Sequence, residues 1–300
     1  MKKKTYLFAL MAMVLTLGSC SDNENGIGGE TSKYITVSTS IGNMTRVATD
    51  AKGGQTFEEG DEISVYAWTG APTVAPETSE RVVNNAINKL TNGSWISTPQ
   101  MLWKNNREKH YFIGVYPTAA ISDLSAGEYT FDANKQTESD LLVAVNPDGL
   151  SYSADAQQTV PLTFTHVMAK LAVNLTYKNQ WGGIPTVEKV VVGNAAKEAT
   201  INYLTKVVTP STTAKEDFSL PEITENTKYV SVIIPQEDVK QLTIVIGGKN
   251  FVYDNGTPFK LESGKITTVN LEVGRDEIKL GDVKITDWED GSTFGGEALN

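Results

Sequence analysis

The pattern that decides the fold is clearest in residues 242–256, which read LTIVIGGKNFVYDNG. Two short runs rich in β-branched and aromatic residues flank the pair Gly247-Gly248, and the second run ends before Asn255-Gly256. Glycine and asparagine adopt the positive φ angles that tight two-residue turns require. The stretch therefore predicts a β-hairpin followed directly by a second turn.

The same pattern of short apolar or alternating runs between turn residues continues along the chain. Turns are predicted at Asn92-Gly93 and Asp148-Gly149, and residues 79–90 are the best helical candidate. The predicted strands are residues 34–41, 62–68, 81–87, 110–116, 128–131, 140–145, 160–164, 169–177, 187–192, 200–203, 229–234, 242–246, 250–253, 266–271 and 283–285. Short strands at even spacing predict an all-β fold.

About 280 residues beyond the leader exceed what one hydrophobic core usually organises, so two domains are expected. One apolar strand ends and a long one begins near residues 166–169, with little linker between them. We therefore predict two tandem β-sandwich domains of transthyretin-like or immunoglobulin-like type, covering residues 34–167 and 168–300.

The first twenty residues have the pattern of an exported lipoprotein. Three lysines precede an apolar run of roughly a dozen residues, too short to span a bilayer, and the run ends in Leu17-Gly18-Ser19-Cys20. Cys20 is the only cysteine in the chain. We predict a signal peptide at residues 1–19, lipidation of Cys20, and a flexible tether at residues 20–33, where almost no apolar residue occurs. The alternative is an ordinary secretory signal followed by an incidental cysteine.

Composition and motifs argue against several classes of function. The formal net charge of −10 disfavours nucleic-acid binding. His110 and His166 lie in strand-like apolar contexts, where packed histidines are commoner than catalytic ones. The sequence contains no nucleophile elbow, zinc-protease pair or phosphate-binding loop, and the acids at residues 22–24 and 287–290 do not match a calcium loop. No cofactor, metal site or enzymatic activity is predicted.

The tryptophan residues suggest the main alternative function, which is sugar binding. The five tryptophans are Trp68, Trp95, Trp103, Trp181 and Trp288. Each lies in or beside an apolar strand, which favours packing, but a tryptophan face could also bind sugars. The chain could thus be a monomeric glycan-binding surface lipoprotein. A hydrolase that uses two of the 36 acidic residues is a third, weaker reading.

The two ends of the chain suggest assembly. Residues 34–41 alternate, with Ile35, Val37 and Ile41 on one face, and the basic step Arg46-Val47 follows. Near the other end, Val283 and Ile285 mark an apolar strand that leads to Trp288. Each could be an ordinary terminal strand of a sandwich, but together they suggest strands that can be exchanged between chains.

On these residues the sequence resembles the fimbrillin (Mfa-like) family, the subunits and related lipoproteins of type V pili. The matching features are the lipobox at Cys20, the step Thr45-Arg46, SDLLVA at residues 139–144, LTFTHVMAKL at residues 162–171 and ITDWEDG at residues 285–291. The similarity extends over essentially the whole chain beyond the leader. Val47 stands where a smaller residue such as alanine is expected.

The resemblance implies a structural subunit without enzymatic activity, made as a lipidated precursor and carried to the outer membrane. An arginine-specific protease would cut after Arg46 and leave Val47 as the first residue. The removed strand would take Ile35, Val37 and Ile41 with it, and the C-terminal strand of another fimbrial subunit, with Val283, Ile285 and Trp288, would replace it. The sequence does not separate stalk, tip and anchor roles.

Overall fold

The computed structural model describes residues 33–42, 56–153, 158–254 and 256–288. Within these ranges the chain forms β-strands and two short 3₁₀ turns, Thr78–Glu80 and Asn179–Trp181, so the fold is all-β as predicted. The strands of the first half are β1 (Thr36–Ile41), β2 (Glu62–Thr69), β3 (Val83–Thr91), β4 (Ser94–Thr98), β5 (His110–Tyr116), β6 (Gly127–Thr130), β7 (Leu142–Leu150) and β8 (Thr159–His166). Those of the second half are β9 (Ala169–Tyr177), β10 (Val187–Ala196), β11 (Glu198–Asn202), β12 (Val207–Pro210), β13 (Lys215–Leu220), β14 (Glu222–Thr224), β15 (Lys228–Ile233), β16 (Gln241–Ile246), β17 (Lys249–Asp254), β18 (Lys265–Val273) and β19 (Ile278–Asp287).

Both two-residue glycine turns form hairpins. Strands β16 and β17 pair antiparallel from Gln241 with Asp254 to Ile246 with Lys249, and Gly247 and Gly248 have φ angles of 57° and 70°. Asn92 and Gly93, with φ angles of 51° and 73°, connect β3 to β4 in the same way. Positive φ at both turn positions matches the right-handed twist of the strands, which is why these dipeptides are reliable signals.

Two local predictions differ from the structure. Asp148-Gly149 lies inside β7, where residues 147–149 form a bulge opposite Tyr111 instead of a turn. Gly149 has a φ of 64°, and its N–H donates to Asn146 Oδ1 at 2.9 Å, so the turn-like conformation is real but strand pairing continues beyond it. Residues 83–90, the greater part of the helical candidate, lie in β3.

The first half is dominated by a seven-stranded sheet in the order β1-β8-β7-β5-β2-β3-β4. Its neighbours pair antiparallel except for β1 and β8, which are parallel. The second half forms a five-stranded sheet, β14-β15-β9-β18-β19, and a four-stranded sheet, β13-β10-β16-β17. A three-stranded sheet, β12-β11-β6, brings β6 of the first half against strands of the second.

The central strands of the seven-stranded sheet are buried on both faces. On β2, Ile63 and Val65 pack into one hydrophobic cluster with the inward residues of β1 and β8. Tyr66 and Trp68, on the opposite face, belong to a second cluster that extends into the strands of the second half. When both faces of a strand are buried, apolar residues occupy successive positions and do not alternate with polar ones. This explains the nearly continuous apolar run of β2. The domain boundary near residues 166–169 stays a prediction.

Candidate functional site

Strand β1 lies at one edge of the seven-stranded sheet with its apolar face buried. Ile35 and Val37 are 3% and 6% exposed, Thr39 and Ile41 are half-buried, and Ser38 and Ser40 point outward and are exposed. Pairing runs parallel to β8, from Thr36 with Thr159 to Ile41 with Phe164. The alternation of small polar and β-branched residues thus places one row of side chains in the core and the other at the surface.

The second edge of β1 faces the segment that follows β4. The N–H of Ile35 donates to the carbonyl of Met101 at 3.0 Å, and the N–H of Trp103 donates to the carbonyl of Lys33 at 3.2 Å. Beside β4, Trp95 Nε1 donates to Thr39 Oγ1 at 3.0 Å, next to a cleft of ≈ 750 Å³ between the two strands. The two edges of the sheet therefore approach each other, and β1 occupies a slot between β8 and the segment that follows β4.

Strand β8 depends on β1 for most of its pairing. Its residues 159–164 pair with β1, whereas only Phe164, Thr165 and His166 pair with β7. The inward face of β8 consists of alternate residues: Val160, Leu162, Phe164 and His166. Without β1, an apolar trough and an unpaired backbone edge would face solvent, a condition that folded proteins avoid or use for strand addition.

At the other end of the described chain, β19 is an edge strand with exposed apolar side chains. It pairs antiparallel with β18, from Lys265 with Asp287 to Val273 with Ile278. Leu280, Val283 and Ile285 are 37%, 37% and 40% exposed, and every residue of β19 after Ile278 is classed as exposed. A strand whose apolar side chains leave more than a third of their surface exposed contributes less to its own core than an inner strand does.

Trp288 follows β19 immediately and is placed differently from Val283 and Ile285. It is 3% exposed, and its ring stacks on that of His166 with centroids 4.0 Å apart and an interplanar angle of 7°. Lys170, also buried, places Nζ 4.0 Å from the centroid of the Trp288 ring. Asp140 Oδ1 lies 2.8 Å from His166 Nδ1 and orients the imidazole. Sequence reasoning did not bring these residues together, although the motifs at residues 162–171 and 285–291 contain three of them.

Some of the other candidate residues lie outside the described ranges, and the rest are tryptophans that the structure describes. Cys20, Arg46 and Val47 lie outside the described residues, so lipidation and cleavage stay predictions, as do the signal peptide and tether. Trp68 and Trp103 are buried like Trp288, while Trp95 and Trp181 are half-buried. Most of the tryptophan surface is thus taken up by packing within the chain.

His110 is a packed histidine in a strand. Its Nε2 accepts the N–H of Lys104 at 3.0 Å, and its ring meets Trp103 edge-on with centroids 5.0 Å apart. Burial lowers the pKa of the imidazole below its usual 6.5 because the charged form loses solvation. In the described part of the chain, histidine, cysteine and carboxylate side chains form no group of three that could hold a metal ion. Within the same ranges, no helix has the length and apolar character needed to cross a bilayer.

Comparison with known proteins finds a matching family and a relative that aligns along the whole chain. The fimbrillin-like family model matches residues 45–288. A candidate fimbrium subunit of Bacteroides uniformis, Fim1C, is 25% identical over 325 aligned positions, which cover 100% of this chain and 99% of that protein.

Solved structures share the fold. A candidate cell adhesion protein from Bacteroides uniformis is 19% identical, with a TM-score of 0.63 over 86% of this chain and 100% of that one. A fimbrial protein from Bacteroides vulgatus is 13% identical, with a TM-score of 0.52 over 84% of this chain and 99% of that one. The family match spans most of the sequence, and the chain belongs to the fimbrillin-like family, a family of fimbrial structural proteins and not of enzymes.

Proposed function

We propose that this protein is a structural subunit of cell-surface fimbriae that polymerises by exchange of a β-strand and supports adhesion. It is made as a precursor, lipidated on Cys20, and held at the outer membrane. An arginine-specific protease cuts after Arg46, β1 leaves its slot, and the C-terminal strand of a neighbouring fimbrial subunit takes its place.

The observation that carries this proposal is the position of β1. The strand is short, lies at a sheet edge, and reaches the rest of the chain through residues 42–61, which include Arg46. One cut in that connection separates β1 from the body of the subunit while the other six strands of the sheet stay connected to it. The slot left behind is lined by β8 and the segment after β4, and its inward residues Val160 and Leu162 are fully buried in the precursor.

The properties of β19 fit the role of donor. Its ten residues exceed the six of β1, and its exposed Leu280, Val283 and Ile285 would gain burial by entering an apolar slot. Each such side chain contributes on the order of 1.5–3 kcal/mol when it is fully buried. By moving into a neighbour's slot, β19 would thus transfer its partly buried apolar side chains to a more deeply buried position.

Family and relatives support the same role. The matched family is fimbrillin-like, and the relative Fim1C is described as a candidate fimbrium subunit. The leader sequence ending at Cys20 suits export and anchoring by acyl chains, because two or more chains are needed for stable attachment. The protein would thus reach the surface as a lipoprotein and enter the fimbrium after cleavage.

The test is controlled cleavage of the purified full-length chain. Four arginines are present, and Arg107→Lys with Arg275→Lys removes two competing sites while Arg81 is buried. In this background, an arginine-specific protease should yield a chain that begins at Val47, releases the β1 peptide and forms SDS-resistant oligomers. Arg46→Ala should do none of these.

A second variant tests the donor strand. A chain that ends at Asp282 should still be cut after Arg46 and lose β1, but it should stay monomeric by size-exclusion chromatography, with its β content checked by circular dichroism. Efficient polymerisation of Arg46→Ala, or SDS-resistant ladders from the shortened chain, would contradict the proposed mechanism.

A further inference from the structure

Strand β19 pairs with β18 along its length, and its buried side-chain anchor lies at its C-terminal end. The Trp288 ring is buried against His166 and Lys170, and its backbone N–H donates to the carbonyl of Gly264 at 3.0 Å. One residue earlier, Asp287 forms an ion pair with Lys265. The preceding residues of the strand are exposed along their length. Release of β19 therefore requires Trp288 to leave its site.

The site of Trp288 is a stacking surface without side-chain hydrogen bonds to the indole. Trp288 Nε1 and His166 Nε2 are both buried and have no hydrogen-bond partner among the described residues. A buried polar group without a partner costs free energy, so this tryptophan is held less firmly than one whose N–H is satisfied. The unsatisfied groups offset part of the stabilisation that burial of the Trp288 ring provides.

The same site is connected to the slot of β1 through β8. His166, the stacking partner of Trp288, is the last residue of β8, and Phe164 two residues earlier pairs with Ile41 of β1. The carbonyl of Phe164 also accepts the N–H of Gly42 at 2.9 Å. Because residues 159–163 of β8 pair with β1 and not with β7, loss of β1 removes their described ladder. The described pairing of β8 is then limited to Phe164, Thr165 and His166, the short segment that carries the stacking partner of Trp288.

We infer that Trp288 is a latch that couples occupation of the β1 slot to release of the C-terminal strand. While β1 is in place, β8 is ordered, His166 presents a fixed stacking surface, and Trp288 keeps β19 on its own subunit. When β1 leaves, β8 loosens, the docking of Trp288 weakens, and β19 becomes free to enter a neighbour. The latch builds on the proposed strand exchange and adds an order to it, since a subunit that has lost β1 is also the subunit that offers a donor strand.

The latch can be tested in the monomer, by hydrogen–deuterium exchange of the uncleaved full-length chain. Trp288→Ala should speed exchange of the β19 amides by at least about 100-fold, the lower end of the usual cost of removing a buried tryptophan. Strands β9 and β15, inner strands of the same sheet, should keep their wild-type protection. Trp288→Phe, which retains a ring to stack on His166, should lie between the two. Trp68→Ala is the matched control, because this tryptophan of β2 is 2% exposed and packs against Tyr111, in a different sheet from β19.

The coupling between the β1 slot and β19 is tested with variants that weaken the packing of β1, each made with Trp288 present and with Trp288 replaced by alanine. Ile35→Ala, directly before β1 and on its buried side, should speed exchange in β8 and also in β19, whereas Ser38→Ala on the exposed face should affect neither. In the Trp288→Ala background, Ile35→Ala should add nothing further to exchange in β19.

Three results would overturn the inference. The first is unchanged protection of the β19 amides in Trp288→Ala, and the second is loss of amide protection throughout the molecule in that variant. The third is an Ile35→Ala variant that exchanges faster in β8 but not in β19. None of them depends on polymerisation, so failure of the latch is distinguishable from failure of strand exchange, which is measured by oligomer formation after cleavage.

Discussion

Ile35→Ala should greatly shorten the time for which β1 stays in its slot after cleavage at Arg46. Ile35 is 3% exposed and packs in the cluster formed by β1, β8 and the inner face of β2. Truncation of a buried isoleucine to alanine costs about 2–5 kcal/mol, which includes the cavity that is left. Even the lower value corresponds to about a 30-fold faster release, since 1.4 kcal/mol is a factor of ten.

The structure makes this position a clean probe. The N–H of Ile35 donates to the carbonyl of Met101 at 3.0 Å, and alanine keeps this bond because it involves only backbone. Before cleavage, covalent attachment holds β1 at high effective concentration, so the variant should still fold with its strand in place. The difference between the variants should therefore be largest once the connection is cut.

Release is measured by cutting the chain with an arginine-specific protease in the Arg107→Lys, Arg275→Lys background and following the bound peptide by size-exclusion chromatography with mass spectrometry. Ser38→Ala is the matched control because Ser38 lies on the same strand and is exposed. Equal release rates for wild type and Ile35→Ala would refute the claim that side-chain burial holds β1. So would a release rate for Ser38→Ala as high as that for Ile35→Ala.

Two further predictions concern anchoring and pH. Cys20→Ala should shift the protein from the membrane fraction to the soluble fraction on ultracentrifugation, because in the proposed precursor the acyl chains on Cys20 supply the attachment; full retention in membranes would contradict lipidation. His110 has a folded-state pKa below 6.5, so the unfolded chain takes up its proton first as pH falls, and this contribution to stability is complete above pH 6.5 and is lost progressively below it. When the pH is lowered from above 6.5 to below it, the midpoint of urea unfolding should therefore fall less in His110→Gln than in wild type. An equal fall in the two proteins would refute this role.

Local patterns predicted much of the strand content. The hairpin at residues 242–256 and the turn at Asn92-Gly93 were recognisable because two-residue turns impose positive φ on consecutive positions, which few residue types accept. Several short strands escaped prediction, among them β4, β12 and β13. Their residues alternate between half-buried and exposed positions or are largely polar, so pairing with neighbours decides their conformation more than their own sequence does.

Asp148-Gly149 shows why a local signal can mislead. The dipeptide does adopt a turn-like conformation, with Gly149 at a φ of 64°, but it does so as a bulge within β7. A Cβ at Gly149 would lie 2.8 Å from the Tyr111 ring, so the glycine is required by the opposing strand as well as by its own φ. Whether such a dipeptide reverses the chain or only bends it depends on whether the strand beyond it finds a partner.

The sequence by itself determined an all-β chain with alternating strands near both ends, and it predicts a leader that is followed by Cys20. These features are local, because side-chain periodicity and turn chemistry act over a few residues. Only the tertiary structure decided that β1 pairs parallel with β8 more than a hundred residues away, and that Trp288 stacks on His166 at the end of that same strand. Pairing partners and stacking contacts of this kind depend on how distant segments share one core, and the free energy of that shared burial is not encoded in any single segment.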